Sequence, residues 1–378
     1  MPRTSLEPKV SLNPASLCPE RLPTVRGDDV RLTSASRPRR RRAAVGLITA
    51  ALLLACGTPA STASALAPGR LSVSGAQVLD PSRNPIVLRG YNWGQWGTVQ
   101  PQDPGDNAAA GANSVRIPLR WWGVWKDGVD SRDPDAPGHI DPDHLKVLDQ
   151  TIAQASSNHL WITLFVDSNY GQGAGDRPDN FWTNPEMKQQ FVEVWQFLVR
   201  RYLRTPYIGA FEILPEPNPA GVSDDGVREF YDSIIPVIRA IDRRTPVVVG
   251  PNDNYNLNRL PAAHTTVDSN VIYTGNYFIF DNALSRIPDI LDFQRRFDAP
   301  VWINQVGIPS GNTDSKPKAR SVLRAFNDNG IGWAWWTYRI SGTNPDTHGI
   351  YYLDAADPDH WLVKKDWLAL VNGFLPQT

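Results

Sequence analysis

From Leu71 onward, short runs of β-branched and aromatic residues alternate with longer stretches whose apolar residues recur at three and four spacing. The runs are PIVLRGYNWG, ANSVRIPLRW, LWITLFVDSN, YIGAFEILPEP, PVVVGPNDN, VIYTGNYF, PVWINQVG and GWAWWTYR. Helices are predicted between them, at 144–156, 185–202, 225–240 and 315–327. In the third, Phe230, Ile234, Val237 and Ile238 line one face, while Asp232, Arg239 and Asp242 are expected to point away. Eight such strand and helix units in about 300 residues predict an α/β fold, a single (β/α)8 TIM barrel over residues 66–378. No stretch has the composition of a domain linker, and no repeat of fixed period is visible.

The first 65 residues do not fit that alternation. Arg39, Arg40, Arg41 and Arg42 run into AAVGLITAALLLA, a cationic stretch followed by an apolar one too short for a comfortable membrane span. Residues 1–65 are therefore expected to be an export signal and tether of bacterial type. LLAC ending at Cys56 resembles a lipobox, which would lipidate that thiol, and ASA at 63–65 fits ordinary signal-peptidase cleavage. The expected location is secreted or cell-surface, with the membrane reached only through a lipid at Cys56. The polar prefix 1–36 reads equally as an over-extended reading frame.

Without residues 1–65 the chain carries 28 Lys and Arg against 35 Asp and Glu, a net −7 on 313 residues. That excludes an electrostatic grip on nucleic acid or an anionic membrane. Six His lack ligand spacing, Cys18 and Cys56 both precede the barrel, and no phosphate loop or serine elbow is present. No metal and no cofactor is expected. A neutral partner fits better, and 14 Trp, 11 Tyr and 12 Phe against 2 Met hint at stacking on sugar rings. A monomer is expected.

In a barrel of this kind the chemistry sits at the carboxyl ends of the strands. Those ends carry Asn92, Trp93 and Trp96; Arg116; Asp167, Asn169 and Tyr170; Glu216; Asn252, Asp253 and Tyr255; Asn276 and Phe278; Gln305; and Trp336 with Tyr338. Singly these are ordinary loop residues. Their convergence on one rim makes the site.

At FEILPEPN the chain resembles glycoside hydrolase family 5, the cellulase-like retaining glycosidases. LRGYNWGQWG, NSVRIPLRW, WINQVGI and GWAWWTYR resemble that family's first, second, seventh and eighth strand motifs, in order. The resemblance implies a carbohydrate partner with β-linked sugars and hydrolysis of an O-glycosyl bond. It places Glu216 as acid/base, Arg116 as the arginine that orients the nucleophile, and Trp336 as the platform beside the cut bond. Asn276 takes the sixth-strand histidine position, Phe278 the neighbouring tyrosine position and Val166 the third-strand histidine position. Trp93, Asp167 and Asp253 are further expected sugar contacts.

Where the family has its nucleophilic glutamate, this chain has Gln305. An amide cannot form the covalent glycosyl ester, although it keeps its shape and hydrogen-bonding capacity. Pro215 likewise replaces the asparagine that precedes the acid/base. Whether the protein is an enzyme is thus left open between two readings. One is a hydrolase with a non-standard group, Asp167 or Asp253, completing the reaction by inversion. The other is a pseudoenzyme that captures sugar without cutting it. Glu212, four residues before Glu216 in the same strand, would lie about 13 Å below it and is expected to be a buried, paired carboxylate.

Overall fold

The computed structural model describes residues 69–94, 98–122, 131–132, 139–168, 181–280 and 282–376. Residues 1–65 with Cys56, and Trp96, Asn169 and Tyr170, lie outside them, as do most residues of the long segments 121–144 and 171–185.

The eight apolar runs form eight barrel positions. They are β1 (Arg89–Asn92), β2 (Ser114–Trp122), β3 (Trp161–Ser168), β4 (Ile208–Glu212), β5 (Val247–Val249), β6 (Val271–Tyr273), β7 (Trp302–Gly307) and β8 (Gly332–Trp335). After Thr274 and Gly275, β6 resumes as Asn276–Phe278. The sheet runs β6, β5, β4, β3, β2, β1, β8, β7 and ends on the resumed part of β6, with every neighbour parallel. The break in β6 is closed by a bridge from Tyr273 to Val301 and by the Thr274 hydroxyl, which donates to the Trp302 carbonyl at 2.7 Å. One curled parallel sheet therefore closes on itself.

Helices α1 (Asp103–Ala109), α2 (Pro142–Ser157), α3 (Pro185–Tyr202), α4 (Asp224–Arg239), α5 (Leu260–Ala263), α6 (Ile287–Phe297), α7 (Ser315–Asp328) and α8 (Lys365–Asn372) follow the strands in order. Local chemistry sets their starts. Asp141, Asn184 and Ser223 accept from the first free amides of α2, α3 and α4, and Pro142 and Pro185 occupy positions where no amide is needed. The segment between β5 and β6 holds only short helical turns, which is why its sequence shows no long periodicity. Asp242, expected to face away, is buried. It accepts from the amides of Arg244 and Thr245 and from the Thr245 hydroxyl, closing the turn after α4.

Strand residues alternate between two cores. Outward-facing ones such as Ile117, Leu164, Val249 and Ile303 pack on Ile152, Leu198, Ile234 and Val322 of the helices. Inside, the barrel is layered. Its floor is apolar: Leu88, Trp161, Val248, Ile272 and Trp302 meet Leu71, which precedes a hairpin of Ser72–Ser74 and Gln77–Leu79. This hairpin was not visible in the hydrophobic pattern, because each of its strands has only three residues.

Above the floor the interior turns polar. Arg116 Nε and Nη2 grip the two oxygens of Glu212 at 2.5 and 2.8 Å, and its Nη1 donates to Asn92 at 2.9 Å. The Asn92 amide donates to the Asn304 carbonyl at 2.7 Å, and the Asn304 amide returns to Glu212 at 2.7 Å. The Phe165 ring lies 3.6 Å from the guanidinium carbon. All four polar residues are fully buried, so the pair is compensated on every side. Glu212 is thus the buried, paired carboxylate expected. Arg116→Met leaves that carboxylate uncompensated and is expected to cost about 3–5 kcal/mol of stability, read by urea unfolding.

Candidate active site

The mouth layer stands directly above this polar ring. Beyond β4 the chain passes through Ile213, Leu214 and Pro215 to Glu216, whose φ of +48° lies in the left-handed region that residues with a side chain rarely adopt. Such strain persists only where the surroundings over-determine it. Here two donors do so. Asn276 Nδ2 reaches one carboxylate oxygen of Glu216 at 2.5 Å, and the Tyr255 hydroxyl reaches the other at 3.2 Å. Burial and the charge of Glu216 push the Tyr255 hydroxyl up, so it remains a donor. Asn276 is itself fixed, accepting from Asn254 Nδ2 at 3.2 Å and donating its backbone amide to the Asn254 carbonyl at 2.9 Å.

Asn276 is also the register partner of Gln305. Strict alternation would send Gln305 outward, because Asn304 already points into the polar ring. A bulge changes this: β7 pairs with β8 at Ile303↔Trp333 and next at Val306↔Trp335, so two residues of β7 face one of β8. Val306 then returns to the outer core, and Gln305 stays buried beside Asn276. Glu216 and Gln305 thus share one neighbour at the same rim.

Trp336 is half-buried, and its indole lies across the end of β1: a Cβ on Gly94 would fall 2.0 Å from the ring. Only glycine leaves this room. The turn that presents the ring is pinned by Trp336 N to the Val306 carbonyl at 2.8 Å and by Tyr338 N to the Asn92 carbonyl at 2.9 Å.

Asp167, the penultimate residue of β3, is in register with Arg120 and is buried. Burial pushes its carboxyl up to about 7, against the pull of Arg120 and with the added repulsion of Glu216. It stands on the strand next to β4, on Glu216's side of the mouth.

Three expectations are corrected, on Trp93, Arg116 and Val166, and Asp253 takes a loop-capping place. Trp93 is a core residue, 2% exposed, with its indole N–H donating to Asn107 at 3.0 Å, and it cannot stack on a sugar. Arg116 is consumed by Glu212 and Asn92 one layer below Gln305. The Asp253 carboxylate accepts from Asn256 and lies 3.7 Å from Arg259, closing its own turn. Val166 faces the helices, so the inward position at the end of β3 belongs to Asp167, one residue on. Tyr255 had no assigned role, since a lone tyrosine in a polar loop gives no sign of where it will reach.

A parallel eight-strand barrel with its polar rim at the carboxyl ends of the strands is the architecture of many glycosidases, and comparison with known proteins agrees. The profile of cellulase, glycosyl hydrolase family 5, matches residues 79–342, and the chain belongs to this family. It is 33% identical over 229 residues to the probable glucan 1,3-beta-glucosidase A of Aspergillus fumigatus, covering 56% of this chain and 52% of that one. With the protein of the same name from Neosartorya fischeri the identity is 33% over 295 residues, covering 62% and 68%. Endoglucanase C of Acetivibrio thermocellus is 24% identical, covering 45% and 48%. The chain thus spans only about half of the Aspergillus fumigatus relative it matches. Among solved structures, Cel5A of Thermotoga maritima with cellobiose superposes with a TM-score of 0.58 at 21% identity, over 76% of this chain and 97% of that one. An endogalactoceramidase superposes at 0.59 with 17% identity, over 71% and 74%, and these two likenesses speak to the fold.

Asp167 gives a testable pH dependence. Its carboxyl titrates higher folded than unfolded, so between about pH 4 and about pH 7 the native state holds the proton more tightly and stability falls as pH rises through that window. Asp167→Asn removes this loss: its melting temperature should match the parent's below about pH 4, rise above it as the pH climbs to about 7, and hold a constant lead beyond.

Proposed function

We propose that this protein hydrolyses β-linked glucans at the mouth of the barrel, with Glu216 donating a proton to the leaving glycosidic oxygen and Trp336 supporting the sugar ring. The observation that carries the reading is the Glu216–Asn276–Gln305 arrangement, in which a carboxyl held by two donors stands one residue away from an amide at the family's nucleophile position. Membership of glycosyl hydrolase family 5 and relatives named for 1,3-β-glucan and for endoglucanase activity support the substrate class. An amide oxygen is too poor a nucleophile for a glycosyl ester, so the reaction is a single displacement by water rather than the family's two-step exchange. The export signal read in residues 1–65 suits a polymer met outside the cell.

Gln305 itself favours a second reading, capture of the glucan without cleavage. Both are tested by assaying laminari- and cello-oligosaccharides with the parent, Glu216→Gln and Gln305→Glu. Hydrolysis by the parent that falls on the order of 100-fold or more in Glu216→Gln, with binding retained by calorimetry, is the expected result. Binding without turnover in the parent, together with turnover in Gln305→Glu, would establish capture instead.

A further inference from the structure

A single displacement needs a base on the side of the anomeric carbon opposite the proton donor. Asp167 stands beside Glu216 and Asp253 is tied into its own turn, so neither carboxyl faces Glu216 from β7. β7 ends at Gly307, two residues past Gln305 and therefore on the same face, about 7 Å nearer the mouth. His348 lies there. Its ring meets Phe278, the register partner of Gly307, edge-on with centroids 5.1 Å apart. A Cβ on Gly307 would come within 3.2 Å of the imidazole Cδ2 and 2.6 Å of the Trp336 carbonyl, so the strand end is bare where the ring sits.

The segment carrying His348 is firmly held. Thr347 O accepts from Lys364 Nζ at 2.8 Å and from the Ser310 amide at 3.2 Å, and His348 O accepts from the Trp335 indole at 3.3 Å. The ring is half-buried, and its nitrogens take no hydrogen bond from the described residues. Burial, with the charge of Lys364, pushes the imidazole down to about 4, so at neutral pH it carries a free lone pair. Glu216 follows β4, two barrel positions from β7, and the Tyr255 ring that donates to it stacks on Phe278 with centroids 6.0 Å apart, the same Phe278 that meets His348, so both groups stand at one rim.

Resting on the hydrolase reading, we propose that His348 is the base of the displacement, taking over from the missing carboxylate by activating a water at Gln305. The water gives one proton to the imidazole while its oxygen bonds to the anomeric carbon. The bond to the leaving oxygen breaks with its electron pair, and that oxygen takes the proton of Glu216. Imidazolium then loses its proton to solvent, Glu216 regains one, and one water is consumed per bond.

The test is the anomer first released from a laminari-oligosaccharide by the parent, read by proton NMR before mutarotation, alongside His348→Ala and His348→Gln. Inversion is expected, with kcat lowered on the order of 100-fold in His348→Ala, KM little changed, and partial recovery on adding imidazole. His348→Gln, close in volume, should melt near the parent and be equally slow. Retention of configuration, or a His348→Ala variant whose loss lies in KM alone, overturns the role of His348 while leaving the hydrolase reading intact. A parent that binds but never turns over overturns both.

Discussion

The fixed point of this barrel is a charge that has nowhere to go. Arg116 and Glu212 are shut inside the sheet, and each is tolerable only because the other, with Asn92 and Asn304, satisfies it. Those four residues come from β1, β2, β4 and β7, so a single hydrogen-bonded ring ties opposite walls together. An apolar core of similar volume would pack as well, but it would not dictate which residue of each strand must point inward.

That constraint reaches the rim. Once Asn304 is committed to Glu212, the next residue of β7 would ordinarily turn toward the helices. The bulge between Ile303 and Val306 instead keeps Gln305 inside beside Asn276. The geometry at the mouth is inherited from the ring beneath it, as is the position of Trp336, whose turn hangs partly on the Asn92 carbonyl through Tyr338. Hydrogen bonds one layer down thus aim the groups that would meet a ligand.

What could be read from the chain follows the range of the interaction concerned. Strands and the long helices show through because periodicity is local: Pro185–Tyr202 ends where its apolar pattern ends, and α2, α4 and α7 differ from expectation by a residue or two at their ends. Glu216, Asn276, Gln305 and Trp336 were legible as a group because the barrel brings all strand ends to one rim. Roles that depend on partners distant in sequence were not. Trp93 has the ring expected of a sugar platform, yet Asn107 claims its N–H in the core. Tyr255 reaches Glu216 across 39 positions, and no local pattern announces such a contact. The one-residue slip between Val166 and Asp167 shows how completely a period of two decides a role.

The Trp336 indole rests on Gly94, at the seam of β8 and β1, and His348 also follows β8, while the Glu216 carboxyl and the Gln305 amide belong to the arc from β4 to β7. The broad ring and the carboxyl–amide pair are therefore anchored on different staves of the same cask. Substitution can rework the carboxyl–amide pair on one arc without loosening the broad ring on the other.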